Sequence, residues 1–349
     1  MSDEDGSTRL DALRSFSGEG GPVAWDAPTS SKKNPRWYGR DGYTSSRKAV
    51  HERLLRDSVE EVPELRSERR AIVQAGPPGA GKTSIREHLL GDASKSFLVV
   101  DADEFKTRLL REALADGSYE SWIKPAAVRQ SEAAGERFHP MELSSLVHAE
   151  SADLADRQRT EAIRSGKNIV VDTVLSSDTK ARQIMGELER AGYDVQVIDV
   201  EVPREVSEER IRTRWREGNE RAEKGDGLGG RWVPSEFGAW VYGEPDGRSR
   251  PEANARMVAE ESPAVSRYRV YRTTAEQAEV KAPPVLETDM SRASRGGPLV
   301  PTRSGPMVEG PTAGVSQART LPGITRAGRT TPTRTTPGRV GPARADRGR

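Results

Sequence analysis

Eight residues, Gly76-Pro77-Pro78-Gly79-Ala80-Gly81-Lys82-Thr83, carry the clearest chemistry in this sequence. They fit G-x-x-x-x-G-K-[ST], a loop that wraps an anion between a strand and a helix. Glycines let the backbone turn its N–H groups inward with no Cβ in the way. The helix behind the loop adds the positive end of its dipole. On this reading Gly76, Gly79, Ala80, Gly81, Lys82, Thr83 and Ser84 bind a nucleotide. Lys82 reaches the β- and γ-phosphates, and the Thr83 hydroxyl holds a metal ion. The expected cofactors are ATP and Mg²⁺.

Such a loop needs a strand ahead of it and a helix behind it, and the sequence supplies both. Residues 71–75 form a short apolar run, and 82–90 have a helical pattern. A helix is expected from 46 to 66. Further strands are expected at 97–100, 168–172, 195–200 and 268–271, with helices at 141–165, 178–190, 205–217 and 251–261 between them. Residues 116–140 read as an irregular insertion or lid, and the glycine-rich stretch 218–230 as mobile. Strands alternating with helices imply an α/β fold with a P-loop NTPase-like parallel sheet flanked by helices. Ligands then sit at the carboxyl ends of the strands. Gly76, Asp103 and Asp172 each follow a strand, so they fall on that one edge.

Composition sets the outer limits. Of 349 residues, 34% are hydrophobic and 31% charged, too polar for the whole chain to build a core. A disordered arm is expected over 1–45, interrupted by Trp25 and Trp37-Tyr38, then a kinase-type domain over 46–280 and a disordered tail over 281–349. Residues 291–349 hold 11 arginines, no lysine, eight prolines and ten glycines. That tail is expected to be a linker or, at most, a weak nonspecific contact for nucleic acid, having no aromatic residue to stack bases. The chain has no cysteine, and no apolar run long enough to span a membrane. A cytoplasmic location is expected.

Phosphoryl transfer to a small molecule needs a carboxylate to take the hydroxyl proton and cations to steady the transferring group. Asp103 is the candidate base; as a helix N-cap with Lys106 three residues on, it also has a purely structural reading. Asp101, on the opposite side of the strand end, reads as structural. Asp172 either orders the metal through water, holds substrate, or is an ordinary strand-end acid. The helix 205–217 has acids first and arginines last, as a helix dipole favours, so its arginines need no function. One of them still could reach the phosphates, and Arg231, next to Trp232, is a second candidate. The four histidines lack metal-ligand spacing. No Asn-Lys-x-Asp motif is present, which disfavours a GTPase.

Taken together these segments resemble the zeta-toxin family, kinases of toxin–antitoxin systems. The resemblance spans about 70–273. It rests on the phosphate loop, Asp101-Ala102-Asp103-Glu104-Phe105, His148-Ala149-Glu150-Ser151, Val170-Val171-Asp172-Thr173, Val202-Pro203 before an arginine-bearing helix, and Arg231-Trp232-Val233-Pro234. It implies ATP-dependent phosphorylation of the 3′-hydroxyl of UDP-N-acetylglucosamine, and a protein antitoxin as partner. It also implies Asp103 as base, Arg214 and Arg231 on the γ-phosphate, and Glu150 and Asp172 near the sugar nucleotide. Asp172-Thr173-Val174 stands where better-studied members have a sequence like Glu-Gly-Thr. The alternatives are a P-loop kinase with another small-molecule or nucleic-acid hydroxyl as acceptor, and a non-catalytic nucleotide-binding protein whose tail binds nucleic acid.

Overall fold

A computed structural model describes residues 3–243 and 248–302. Helix α1 (Asp3–Ser17) is followed by a small hairpin, β1 (Tyr38–Gly39) and β2 (Gly42–Tyr43), and helix α2 (Ser45–Glu60). The alternating part runs β3 (Arg70–Ala75), α3 (Lys82–Leu90), β4 (Leu98–Asp101), α4 (Ala102–Ala115), α5 (Ala126–Ala133), α6 (His148–Arg164) and β5 (Ile169–Asp172). It continues with α7 (Asp178–Arg190), β6 (Asp194–Glu201), α8 (Arg204–Glu223), α9 (Ser235–Val241), α10 (Arg250–Glu261) and β7 (Val265–Arg272). Helix α11 (Ala275–Glu279) and strands β8 (Val285–Ser291) and β9 (Val300–Pro301) come last.

The main sheet has the order β4-β5-β3-β6-β7-β8-β9 among the described residues. Pairing is parallel from β4 through β7, and antiparallel for β8 and β9. Strand β3 lies inside, and Ala71 to Ala75 are all buried. A strand covered on both faces reads as a continuous apolar run rather than an alternating one. Helices α7 and α10 pack on one face around Val73, Val195 and Val197, and α3 packs on the other around Ile72 and Ile198. A third cluster joins α1, α2, α4 and α6 to Trp215 and Trp232. No described helix is long and apolar enough to cross a membrane.

Several boundaries differ from expectation. The expected loose arm over 1–45 is built into the domain from Arg9 onward: Leu13 and Val23 are fully buried, and Trp37 is nearly so, its ring lying 4.0 Å from the Arg47 guanidinium. Each fully buried apolar side chain stabilises by roughly 2 kcal/mol, so a few anchors hold a polar segment. Of the arm's two tryptophans, Trp25 stays exposed. The expected helix over 141–165 is two pieces, a 3₁₀ segment Pro140–Val147 and then α6. The irregular stretch 116–140 contains α5 and buries Tyr119, Ile123, Val128 and Phe138.

The expected tail begins too early. Strand β8 adds to the sheet edge, held by ion pairs of Arg267 with Asp289 and Arg272 with Glu287. Cross-strand ion pairs leave no apolar periodicity to read. The remainder of the expected tail, 303–349, lies outside the described residues.

Candidate active site

The phosphate loop leaves β3 at a point where no side chain fits. Gly76 has φ 133°, and a Cβ there would stand 2.2 Å from the Val200 carbonyl oxygen. Gly79 at φ 78° backs onto Ser207, and Gly81 at φ 101° is the N-cap of α3. These are backbone conformations that other residues adopt only with strain. Helix α8 supports the loop from outside: Ser207 Oγ donates to the Pro78 carbonyl at 2.7 Å, and Arg210 donates to those of Gly79 and Ala80 at 3.2 and 3.1 Å. Outward carbonyls tied down in this way leave the inward N–H groups for an anion. Thr83 and Ser84 stand exposed on the first turn of α3.

Lys82 bends back over the loop, its Nζ donating to the carbonyls of Gly76 at 2.8 Å and Pro77 at 3.2 Å. Burial pushes its ammonium below the ordinary lysine range; Asp172 opposes that push, while Arg231 and Arg214 add to it. The expected residues Lys82, Asp172, Arg214 and Arg231 therefore share one electrostatic neighbourhood. Burial likewise lowers the guanidinium pKa of Arg231. Arg214 makes no ion pair with a described carboxylate and is exposed. A guanidinium with no carboxylate partner suits a polyanionic ligand.

Asp103 lies in the first turn of α4. Its Oδ1 pairs with Lys106 Nζ at 2.9 Å, and its Oδ2 pairs with the Arg231 guanidinium. It is not the helix cap. Asp101 fills that position, accepting the Asp103 N–H at 2.8 Å. Asp101 is also the register partner of Asp172 on the neighbouring strand. Burial, followed by the Asp172 charge, pushes the Asp101 carboxyl up to about 6, with Arg231 opposing. Asp172 in turn pairs with Arg86 of α3 at 3.4 Å. Sequence reading missed Arg86 and Arg210 as parts of the site, and read Asp101 as structural, as its capping role bears out. Asp101 was legible as the residue ahead of a helix, whereas Arg86 and Arg210 owe their places to packing.

Glu150 departs from expectation. It has no exposed surface, and its carboxylate accepts from Arg47 at 2.6 and 3.0 Å and contacts His51 Nε2 at 2.7 Å. Burial alone would raise its pKa, but the His51 and Arg47 hydrogen bonds outweigh that and hold it at about 2. With both oxygens engaged, Glu150 is a strut between α2 and α6 rather than an open contact for substrate.

Three of the glycines in the stretch 218–230, expected to be mobile, serve close packing instead. Helix α8 continues to Glu223, and Gly218, Gly229 and Gly230 allow close packing: a Cβ on Gly230 would stand 2.0 Å from the Trp215 carbonyl oxygen. The Gly230 N–H donates to Asn219 Oδ1 at 2.8 Å. Glu142, fully enclosed, accepts from Trp215 Nε1 at 2.8 Å and pairs with Arg9 of α1. Trp232 Nε1 donates to Ser17 Oγ at 3.2 Å. The N-terminal helix thus braces the segment that presents Arg231.

The site fits Mg·ATP on three counts: a glycine cradle, a lysine held only by carbonyls, and the Arg214 guanidinium, which pairs with no described carboxylate. Thr83 and Asp172 would hold the metal. Among the described residues no three acids or histidines cluster as a resident metal centre. That is compatible with Mg²⁺ bound largely through phosphate oxygens.

The zeta toxin family matches residues 54–243, just over half of the chain. No curated protein matches it. Similar solved structures include the native AvrRxo1-ORF1:-ORF2 complex, 21% identical, covering 75% of this chain and 72% of that chain with a TM-score of 0.50. The same complex with ATP is 21% identical, covering 80% and 74% with a TM-score of 0.49. The PezAT chromosomal toxin–antitoxin system of the human pathogen Streptococcus pneumoniae is 16% identical, covering 66% and 78% with a TM-score of 0.42. At such identity the native complex is a likeness of fold.

Proposed function

The chain belongs to the zeta toxin family, and from that premise we propose that it transfers the γ-phosphoryl group of ATP to the 3′-hydroxyl of UDP-N-acetylglucosamine. The observation that carries the reading is the convergence of Asp103, through its pair with Arg231, on the electrostatic neighbourhood of Lys82. A proton acceptor and the phosphate cations then serve one reaction centre.

Bound Mg·ATP would supply the phosphoryl group. Lys82 and the loop N–H groups bind its β- and γ-phosphates, and Arg214 neutralises charge at the mouth. Arg231 turns from Asp103 to the transferring group, which frees Asp103 Oδ2. That oxygen accepts the proton of the attacking hydroxyl while the new O–P bond forms and the bond from the γ-phosphorus to the bridging oxygen breaks, with ADP as the leaving group. Asp172 is assigned to metal or sugar nucleotide. By family, the partner is a protein antitoxin.

Incubation with labelled ATP and a panel of acceptors tests the reading. Label is expected on UDP-N-acetylglucosamine. Label appearing only on another small molecule or on a nucleic-acid 5′-hydroxyl would replace the acceptor and keep the kinase. Mg·ATP binding with no labelled product from any acceptor would remove the kinase reading.

A further inference from the structure

A second concentration of arginines lies at the other end of the sheet. A cavity of about 280 Å³ is lined by Arg70 at the start of β3, Asp194 and Gln196 at the start of β6, Arg267 and Arg269 on β7, and the Phe97 ring. Leu90 and Ile198 give it an apolar wall. A strand rises roughly 3.3 Å per residue, so Arg70 at the start of β3 stands about 20 Å along the strand from Gly76 of the phosphate loop.

Residues two apart on a strand face the same side, which sets Arg267 and Arg269 next to each other. Arg267 is neutralised by both oxygens of Asp289, at 2.8 and 2.6 Å. Arg269 is not. It is only 7% exposed, its Nη2 donates to the neutral amide of Gln196 at 2.6 Å, and its buried Nε–H has no partner. Burial lowers its guanidinium pKa, with Tyr271 and Asp289 opposing and Arg267 adding to the effect. Other buried arginines here are matched by carboxylates: Arg9 by Glu142, Arg47 by Glu150, Arg159 by Asp156 and Glu187. Arg70 lies over the Phe97 ring at 5.8 Å, with its nearest carboxylate, Glu68, 4.0 Å away. The one lining acid, Asp194, pairs with none of the three arginines. The β6–β7 register shifts between Val195 and Gln196, beside the cavity, and such irregularities re-aim side chains next to sites.

We propose that this cavity binds a phosphate monoester carried on a compact apolar body, its oxygens held by Arg269 and Arg70. A buried guanidinium with an unused N–H is completed by an anion. Three phosphate oxygens can engage two arginines from different strands at once, which a carboxylate serves less well, and the Phe97, Leu90 and Ile198 side accepts the apolar part.

Calorimetric titration of phenyl phosphate into the full chain carrying Lys82→Ala, which weakens the phosphate loop as a competing site, tests this without any activity readout. Binding is expected at one per chain, at least tenfold tighter than for benzoate or inorganic phosphate. Arg70→Gln and Arg269→Gln, each added to that background, are expected to weaken it tenfold or more. If Arg269→Gln melts in a circular-dichroism control, Arg70→Gln decides alone. No heat with phenyl phosphate, benzoate binding as well as phenyl phosphate, or affinity unmoved by Arg70→Gln would overturn the proposal.

Discussion

The guanidinium of Arg231 is paired with the carboxylate of Asp103. The residue assigned to receive a proton and the residue assigned to steady the phosphoryl group thus lie within ion-pair reach of each other. A triphosphate would draw Arg231 away and release the base as substrate arrives. Replacing Asp103 by Asn should lower kcat by about 10²–10⁴, the usual contribution of a positioned base. ATP affinity measured by calorimetry should barely change. Near-normal turnover would remove Asp103 from the role.

Arg231→Lys should lose about 10³ in kcat, at the low end of what a phosphate-steadying arginine contributes. A lysine keeps the charge but lacks the planar fork that holds two oxygens. Initial rates at saturating ATP are the measurement. A loss confined to KM would place Arg231 in substrate binding instead.

Lys82→Ala should abolish transfer and weaken Mg·ATP binding by about 10²-fold or more, since a charge-assisted phosphate contact is lost. The melting temperature should change little, because the Lys82 ammonium touches only the loop carbonyls. Unaltered ATP affinity would contradict the loop assignment.

Glu150→Gln should cost stability rather than substrate affinity. Removing one member of a buried ion pair leaves Arg47 uncompensated, typically a loss of about 3–5 kcal/mol. Because the folded pKa of Glu150 is depressed to about 2 from 4.5, its stabilisation is fully present above pH 4.5. It is lost as pH falls toward 2. Urea midpoints and KM, measured side by side, separate strut from substrate contact. An unchanged midpoint with a raised KM would restore the substrate role.

Asp101→Asn should stabilise the fold above pH 6. The folded pKa of Asp101 is raised to about 6 from 3.8, so its charged form is penalised at higher pH and the penalty fades as pH falls through that range. The gain should be about 2 kcal/mol, the linkage value discounted for partial exposure. An asparagine keeps the N-cap acceptor. Melting curves at pH 3 and 8 should show the advantage only at pH 8, with about half of it left at pH 5. An equal effect at both would mean that the carboxyl is not perturbed.

The sequence by itself determined the loop, its lysine and the parallel sheet. Phosphate binding fixes residue types at fixed spacing, and buried strands must be continuously apolar, so both are local patterns. It also placed Asp103 and Asp172 on the loop's edge, because each ends or follows such a strand. What only the tertiary structure decided is which charges meet. Asp101 rather than Asp103 caps α4, Glu150 disappears into a pair with Arg47 from a helix far away in sequence, and Arg9 reaches Glu142 across 133 positions. Polar arms such as 9–45 and edge strands such as β8 are held by a few anchors and cross-strand ion pairs, which leave no periodic signal. Hydrophobic order repeats along a chain and can be read there, whereas a salt bridge depends on two residues that only folding brings together.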